Sequence, residues 1–421
     1  MSSTNAVTNE SKRILSLDQF RGYTVLGMFV VDFLGHQASI HHLLQHNENY
    51  ISYADSILPG FLFAAGMSFR LTWLKRRQQQ HLSVTVWQFV RRSLSLVLLS
   101  LMIYGFGVSI SNRAAWNQTT VLVFCFALLK ARIWEVLAII GMIQVLLLPI
   151  VGRSAAVRIF GAVGLLAAHV GLSGWFNFAF VHGRENWLDA WLGTTGLRCW
   201  DGGCFGLVTW SFVMLLGTLA YDLVAALRTR QGSAVAYLVS TGVLLLAVGQ
   251  ALFAFSAMYP DTVSATGESA TGESAKPNQR SVLSDSPVWP ATGFDATAWR
   301  NGITESPLTP PPKFREVNYW MASKRTVSVS FVLLATGWNV LVFGLFVAVS
   351  DVFRWQWRVF RVLGQNPLLA YILHHMTATS IGALVPHDSP LWFCLLGLAV
   401  FLCITYAMME YLDRSRLYLR L

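Results

Sequence analysis

Ten apolar stretches recur along the chain, at about 22–39, 53–74, 91–110, 133–151, 155–174, 206–226, 234–257, 327–350, 359–381 and 390–411, with polar segments between them. A helix needs about 20 apolar residues to cross a bilayer core. The pattern therefore predicts an all-α polytopic membrane protein of about ten transmembrane helices. The run 118–129 (QTTVLVFCFALL) is shorter than the ~17 residues a span requires and reads as an interfacial or re-entrant piece.

The polar positions set an orientation. If 118–129 does not cross, 18 of the 31 Lys and Arg residues fall on one face, in termini and short loops, as expected of a cytoplasmic side. Both termini are then cytoplasmic. The opposite face receives a His-rich loop at 40–52, a Trp- and Gly-rich loop at 175–205, and a tract at 258–325. That tract holds the tandem repeat TGESATGESA and the prolines Pro307, Pro310, Pro311 and Pro312, a composition that cannot bury a core of its own. Trp289, Trp299 and Trp320 within it read first as lipid-interface anchors and second as docking groups. The expected organisation is a cytoplasmic tail (1–20), a bundle of seven helices (21–257) with a catalytic outer loop at 36–52, an extracytoplasmic insertion (258–325), and three more helices ending in a short cytoplasmic tail (326–421). The first 20 residues carry no apolar h-region, so no cleavable signal peptide is expected.

Composition narrows the class. The chain is 54% hydrophobic and 12% charged, against about 25% charged in soluble proteins, which excludes an ordinary cytosolic enzyme. The net charge of +10 resolves into loop clusters, so no nucleic-acid partner is expected. The five cysteines lack metal-ligand spacing, and no metal is expected. Cys199 and Cys204, in CWDGGC, read as a candidate disulfide closed over a glycine turn.

Ionisable residues inside a bilayer are costly, which makes each a functional candidate. Asp32 lies 11 residues beyond Arg21, roughly 16 Å along a helix and towards the outer face. Asp55 opens the second span, ahead of Pro59 and the small-residue stretch Gly60 to Gly66. Between the two carboxylates the loop carries His36, His41, His42 and His46. A histidine beside a carboxylate at the mouth of a bundle suits general-base catalysis. Asp18 and Arg21 read as a structural ion pair. LGQNPLLAYILHH (Leu363 to His375) opens a helix with Pro367 in its first turn and places Gln365, Asn366, Tyr371, His374 and His375 along it.

In order, SLDQFRG (Ser16 to Gly22), YADSILPGFLFAAGMS (Tyr53 to Ser68), RIWEVLAIIGMIQVLLLP (Arg132 to Pro149), WDGGCFGLVTWSFVMLLGTLAYD (Trp200 to Asp222), SKRTVSVSFVLLATG (Ser323 to Gly337) and LGQNPLLAYILHH resemble the signatures of the heparan-alpha-glucosaminide N-acetyltransferase family. Glu135 and Ala138 depart from the third signature, and the second acidic residue of the D-x-E-G loop is missing from the fourth. The resemblance covers most of the chain apart from 258–315. It implies a membrane-embedded acyltransferase that takes acetyl-CoA as co-substrate from the cytoplasm and delivers acetyl to an amino sugar or glycan beyond the membrane, here a bacterial inner membrane.

The family's catalytic histidine precedes the Ala-Asp of the second helix by about ten residues, which His46 matches most closely, with His41 and His42 as alternatives. Its partner asparagine falls on Asp32, a carboxylate instead. Asp55, Asn366, Tyr371 and His374 are supporting candidates. Arg21, Arg76, Arg77, Arg91, Arg92 and Gln365 are candidates for holding the CoA. His46, oriented by Asp32, is expected either to act as general base or to carry the acetyl group itself. Membrane lipid and a second copy, as a homodimer, complete the expected partners. Two readings from other classes stand beside this one: a proton-coupled sugar transporter using Asp32, Asp55 and His374 as a relay, and a catalytically inactive scaffold.

Overall fold

The computed structural model describes residues 14–105, 121–260, 282–312 and 314–419. Helices α1 (Leu15–Leu34), α2 (Tyr53–Gln79) and α3 (Leu82–Tyr104) lead to α4 (Val121–Ala127), which winds through a π turn at Leu128–Arg132 and meets α5 (Val136–Val151) at a 93° bend. Helix α6 (Ala155–Leu172) is followed by the short α7 (Trp187–Leu192), then α8 (Gly203–Ala226) and α9 (Gln231–Phe253). The insertion contributes α10 (Ala296–Thr304), and α11 (Val329–Phe346), α12 (Arg358–Gln365), α13 (Pro367–Gly382) and α14 (Leu391–Arg414) complete the chain. Among the described residues the only strand-like pairing is a bridge between Leu283 and Val317.

Among the described residues, seven helices, α2, α3, α6, α8, α9, α11 and α14, are long and apolar enough to cross a membrane, and the bent pair α4–α5 makes an eighth when taken as one span. Two further expected spans are helical but fall outside that measure. Helix α1 carries Asp18, Arg21 and Asp32 within 20 residues. Helix α13 has 16 residues, about 24 Å of helix. The 93° bend after Arg132 sets residues 121–129 off from α5; an interfacial or re-entrant piece is what the sequence predicts there. Residues 118–120, Lys12, Arg13, the tandem repeat and Arg420 lie outside the described residues.

Helices α2, α8 and α11 form the interior, with 61%, 67% and 67% of their apolar windows buried, against 17% for α6 and 22% for α3 and α14. So much exposed apolar surface requires lipid around the outer helices. Glycines bring the interior helices into contact. A Cβ at Gly66 would collide with the Met214 backbone, and one at Gly217 with the Phe63 backbone, the close packing expected of the Gly60 to Gly66 stretch.

Four expectations need correction. The fifth span continues through a π turn at Ser173–Asn177 to His182, so the loop expected from 175 is helical at its start. Arg158, one of the 18 basic residues assigned to termini and short loops, is instead buried in α6, its guanidinium donating to Thr218 Oγ1 (2.9 Å) and Asp222. Trp299 and Trp320 dock on protein, their indole N–H groups donating to the carbonyls of Ala251 (3.0 Å) and Val288 (2.7 Å), while Trp289 is exposed. The last part of the insertion tract, Val317 to Thr326, is almost wholly buried and leads directly into α11.

Candidate active site

The reversal between α1 and α2 is built around one carboxylate. Ser52 caps α2 and Asp55, three residues on, completes a capping box. Asp55 Oδ2 accepts from the backbone N–H groups of Ser52 and Asn47, both at 3.3 Å. Its other oxygen, Oδ1, lies 2.8 Å from His46 Nδ1. An ionised carboxylate only accepts, so Nδ1 carries the imidazole proton and Nε2 keeps the lone pair of a base.

A lysine completes the centre. Lys324 Nζ lies 3.4 Å from His46 Nδ1 and 3.9 Å from both Asp55 Oδ1 and Asp201 Oδ1. The turn that carries it into α11 places Val327 at φ 51°, a left-handed backbone that a β-branched residue rarely adopts. Gly202 N–H donates to Arg325 O (2.8 Å), tying this turn to the Asp201–Gly203 turn. Asp201 is buried and makes no hydrogen bond through Oδ1 among the described residues. Burial pushes its carboxyl up, against the pull of Lys324 and His46. Arg325 stacks over the Trp200 ring at 4.5 Å and donates to Glu48 (2.5 Å), which Arg198 also holds (3.0 Å). Burial opposes the charge on Glu48, but the two guanidiniums outweigh it and keep its carboxyl below the usual range.

A cavity of about 520 Å³ joins these groups. It is lined by His46, Asp201 and Lys324, by Asp32 of α1, by Glu135 just ahead of α5, and by Tyr371 and His374 of α13. Tyr371 shares a 2.6 Å hydroxyl contact with Tyr104. Asp32 reaches this cavity but is not the hydrogen-bond partner of His46. Its Oδ2 faces His374 Nε2 at 3.2 Å, because the capping box has already aimed Asp55 at His46.

Other candidates fall elsewhere. His41 Nδ1 accepts from Leu43 N–H (3.3 Å) and His42 packs against His41 and Tyr50; neither lines the cavity. Asn366 fastens the C-terminal segment, donating to Leu417 O (3.1 Å) and accepting from Leu419 N–H (3.3 Å). Gln365 accepts from Tyr418 OH (3.4 Å). Cys199 and Cys204 are free thiols rather than a disulfide. Cys199 Sγ is directed at the Lys130 carbonyl (3.4 Å), and burial pushes its thiol up to about 12.

Lys324, Asp201 and Glu135 were not marked as site residues by their sequence surroundings alone. Lys324 borders the apolar run 327–350, and Ser52-x-x-Asp55 is a legible capping box; those were the signals available. Among the described residues no cluster of three His, Cys, Asp or Glu is placed to hold a metal ion.

The far end of α1 and α2 is basic. Arg21 pairs with Asp18 (3.5 Å) and donates to Ser68 Oγ. Arg76 Nη1 and Arg92 Nε are buried without a hydrogen-bond partner among the described residues. Arg77 turns to the Gln80 carbonyl (3.0 Å) and Arg91 is exposed. Orphaned guanidinium N–H groups fit the oxygens of a phosphate, so Arg76 and Arg92 suit the CoA candidate role better than Arg77 and Arg91 do.

The helical bundle and its histidine–carboxylate cavity define a membrane protein with the groups for acid–base transfer chemistry. The model of the heparan-alpha-glucosaminide N-acetyltransferase catalytic family matches residues 13–255, more than half of the chain, and the chain belongs to that family. Membership places it among membrane acetyltransferases. No curated protein matches the chain. Lys324, Tyr371 and His374 lie beyond the matched segment.

Proposed function

We propose that the protein moves an acetyl group from acetyl-CoA, held at the arginine-lined end of the bundle, to the amine of an amino sugar in the cavity at the other end, with His46 as general base. The observation that carries this reading is the His46–Asp55 pair, with His46 lining the cavity, in a chain of this family. In this reading the arginine end and both termini are cytoplasmic and the acceptor lies outside, as in a bacterial inner membrane, an orientation that the basic clusters support.

His46 Nε2 removes a proton from the acceptor amine as its nitrogen attacks the thioester carbonyl. Asp55 stabilises the resulting imidazolium. The Lys324 ammonium offsets the negative charge that develops on the carbonyl oxygen. Asp55 and Arg76 are 21 residues apart on α2, about 31 Å of helix, so the nucleotide end of CoA sits within the bundle mouth for its arm to reach the cavity. Proteoliposomes given radiolabelled acetyl-CoA on the cytoplasmic side and glucosamine on the other are expected to yield N-acetylglucosamine in the acceptor compartment. Absence of label in that compartment would contradict the reading.

A further inference from the structure

The cavity contains a second histidine–carboxylate pair that the base role of His46 leaves unused. His374 Nε2 lies 3.2 Å from Asp32 Oδ2, and Nδ1 lies 2.5 Å from the carbonyl oxygen of Tyr371. Both ring nitrogens thus face acceptors, and a neutral imidazole has one N–H to offer them. Satisfying both contacts takes a second proton, on Nε2 or on the facing carboxyl. Phe29 stacks on the imidazole at 5.3 Å and 22°, fixing the ring against α1. The His374 side chain is 2% exposed and that of Asp32 40%, so Asp32 is the face that the pair turns to the cavity.

We infer that the Asp32–His374 pair is the acid of the transfer, delivering its shared proton to the sulfur of the leaving CoA while His46–Asp55 acts as the base. This rests on the acetyltransferase reading above. The new bond joins the acceptor nitrogen to the acetyl carbon, and the C–S bond breaks with its electron pair on sulfur. The amine proton goes to His46 Nε2, and the proton between Asp32 and His374 goes to sulfur, giving the free thiol. The proton on His46 then leaves to solvent and Asp32–His374 takes one up, so amine and thioester become amide and thiol with no net gain or loss of protons. Asp32 touches the reacting sulfur; His374 is a positioning residue that keeps the proton available.

The acid matters in proportion to the basicity of the leaving thiolate, which provides the test. Turnover is measured for wild type, Asp32→Asn, His374→Gln and His46→Gln with acetyl-CoA and with an acetyl thioester of 5-thio-2-nitrobenzoate, whose thiolate leaves without protonation. Acetyl-CoA affinity is measured alongside by calorimetry. Asp32→Asn and His374→Gln are expected to lose about 100-fold or more with acetyl-CoA, less than about 10-fold with the aryl thioester, and to keep acetyl-CoA affinity within about 3-fold. His46→Gln loses both activities alike. Asp32→Asn keeps the side-chain shape, so the test stands if His374→Gln does not accumulate in the membrane. Equal losses with the two thioesters, no loss with acetyl-CoA, or a loss explained by weaker binding would overturn the inference and leave the acetyltransferase reading intact. Wild-type protein that transfers acetyl from neither thioester would end both.

Discussion

Asp55 divides its two oxygens: Oδ1 meets His46 Nδ1 at 2.8 Å while Oδ2 accepts the backbone N–H groups of Ser52 and Asn47. The base of the site is thereby fixed to the cap of the helix that follows it. Asp55→Asn is expected to lower acetyl transfer by about 10²-fold or more, because an amide does not stabilise the imidazolium as a carboxylate does. Ser52→Ala should cost about 1 kcal/mol of stability through the lost cap with a much smaller effect on rate. Thermal unfolding and turnover measured on the same preparations separate the two roles; equal rate losses would contradict the division.

Lys324 is the cation nearest to His46. Lys324→Met is expected to lower kcat by about 10²- to 10³-fold with little change in the acceptor KM, as for loss of one electrostatic group that acts in the transition state. A KM effect alone would assign Lys324 to acceptor binding instead.

Much of the fold was legible because a bilayer demands long apolar runs: helices lie along the expected spans among the described residues, with 359–381 divided at Asn366 between α12 and α13. A candidate histidine was legible from a histidine-rich loop between two carboxylates, and the family resemblance, not the loop itself, singled out His46. Its partner was not, since the family resemblance pointed to Asp32 while the capping box turned Asp55 to the ring. Lys324 was hidden for another reason. A proline-rich, repeat-bearing tract implied a partly flexible extracytoplasmic insertion as far as residue 325, yet Val317 to Thr326 is buried beneath Trp200 and the Asp201 turn. That packing joins residues more than a hundred positions apart, which no local pattern records.

Arg76 Nη1 and Arg92 Nε are oriented into the protein without partners among the described residues. Arg76→Ala and Arg92→Ala are each expected to raise KM for acetyl-CoA by about 10- to 100-fold, the scale of one charge-assisted hydrogen bond, with kcat preserved. Acetyl-pantetheine lacks the nucleotide phosphates and should be used equally well by wild type and variants. An equal KM rise with acetyl-pantetheine would remove the arginines from phosphate binding.

Glu48 links the catalytic loop to Arg325 and Arg198, and its carboxyl is held below the ordinary value of 4.5. A depressed carboxyl contributes its stability above the unfolded value and loses it as pH falls through the folded one. Loop 40–52 should therefore stay protected near neutral pH and lose that protection as pH falls from the ordinary carboxyl value of 4.5 through the lower folded-state value. Glu48→Gln should flatten that acid dependence. An unchanged acid response in the variant would show that the ion pair does not hold the loop.

The most direct test is the rate of label transfer from acetyl-CoA to glucosamine by His46→Ala protein whose unfolding temperature matches wild type. A fall of about 10²- to 10⁴-fold is expected for loss of the general base. Transfer within a few-fold of wild type would contradict a catalytic role for His46.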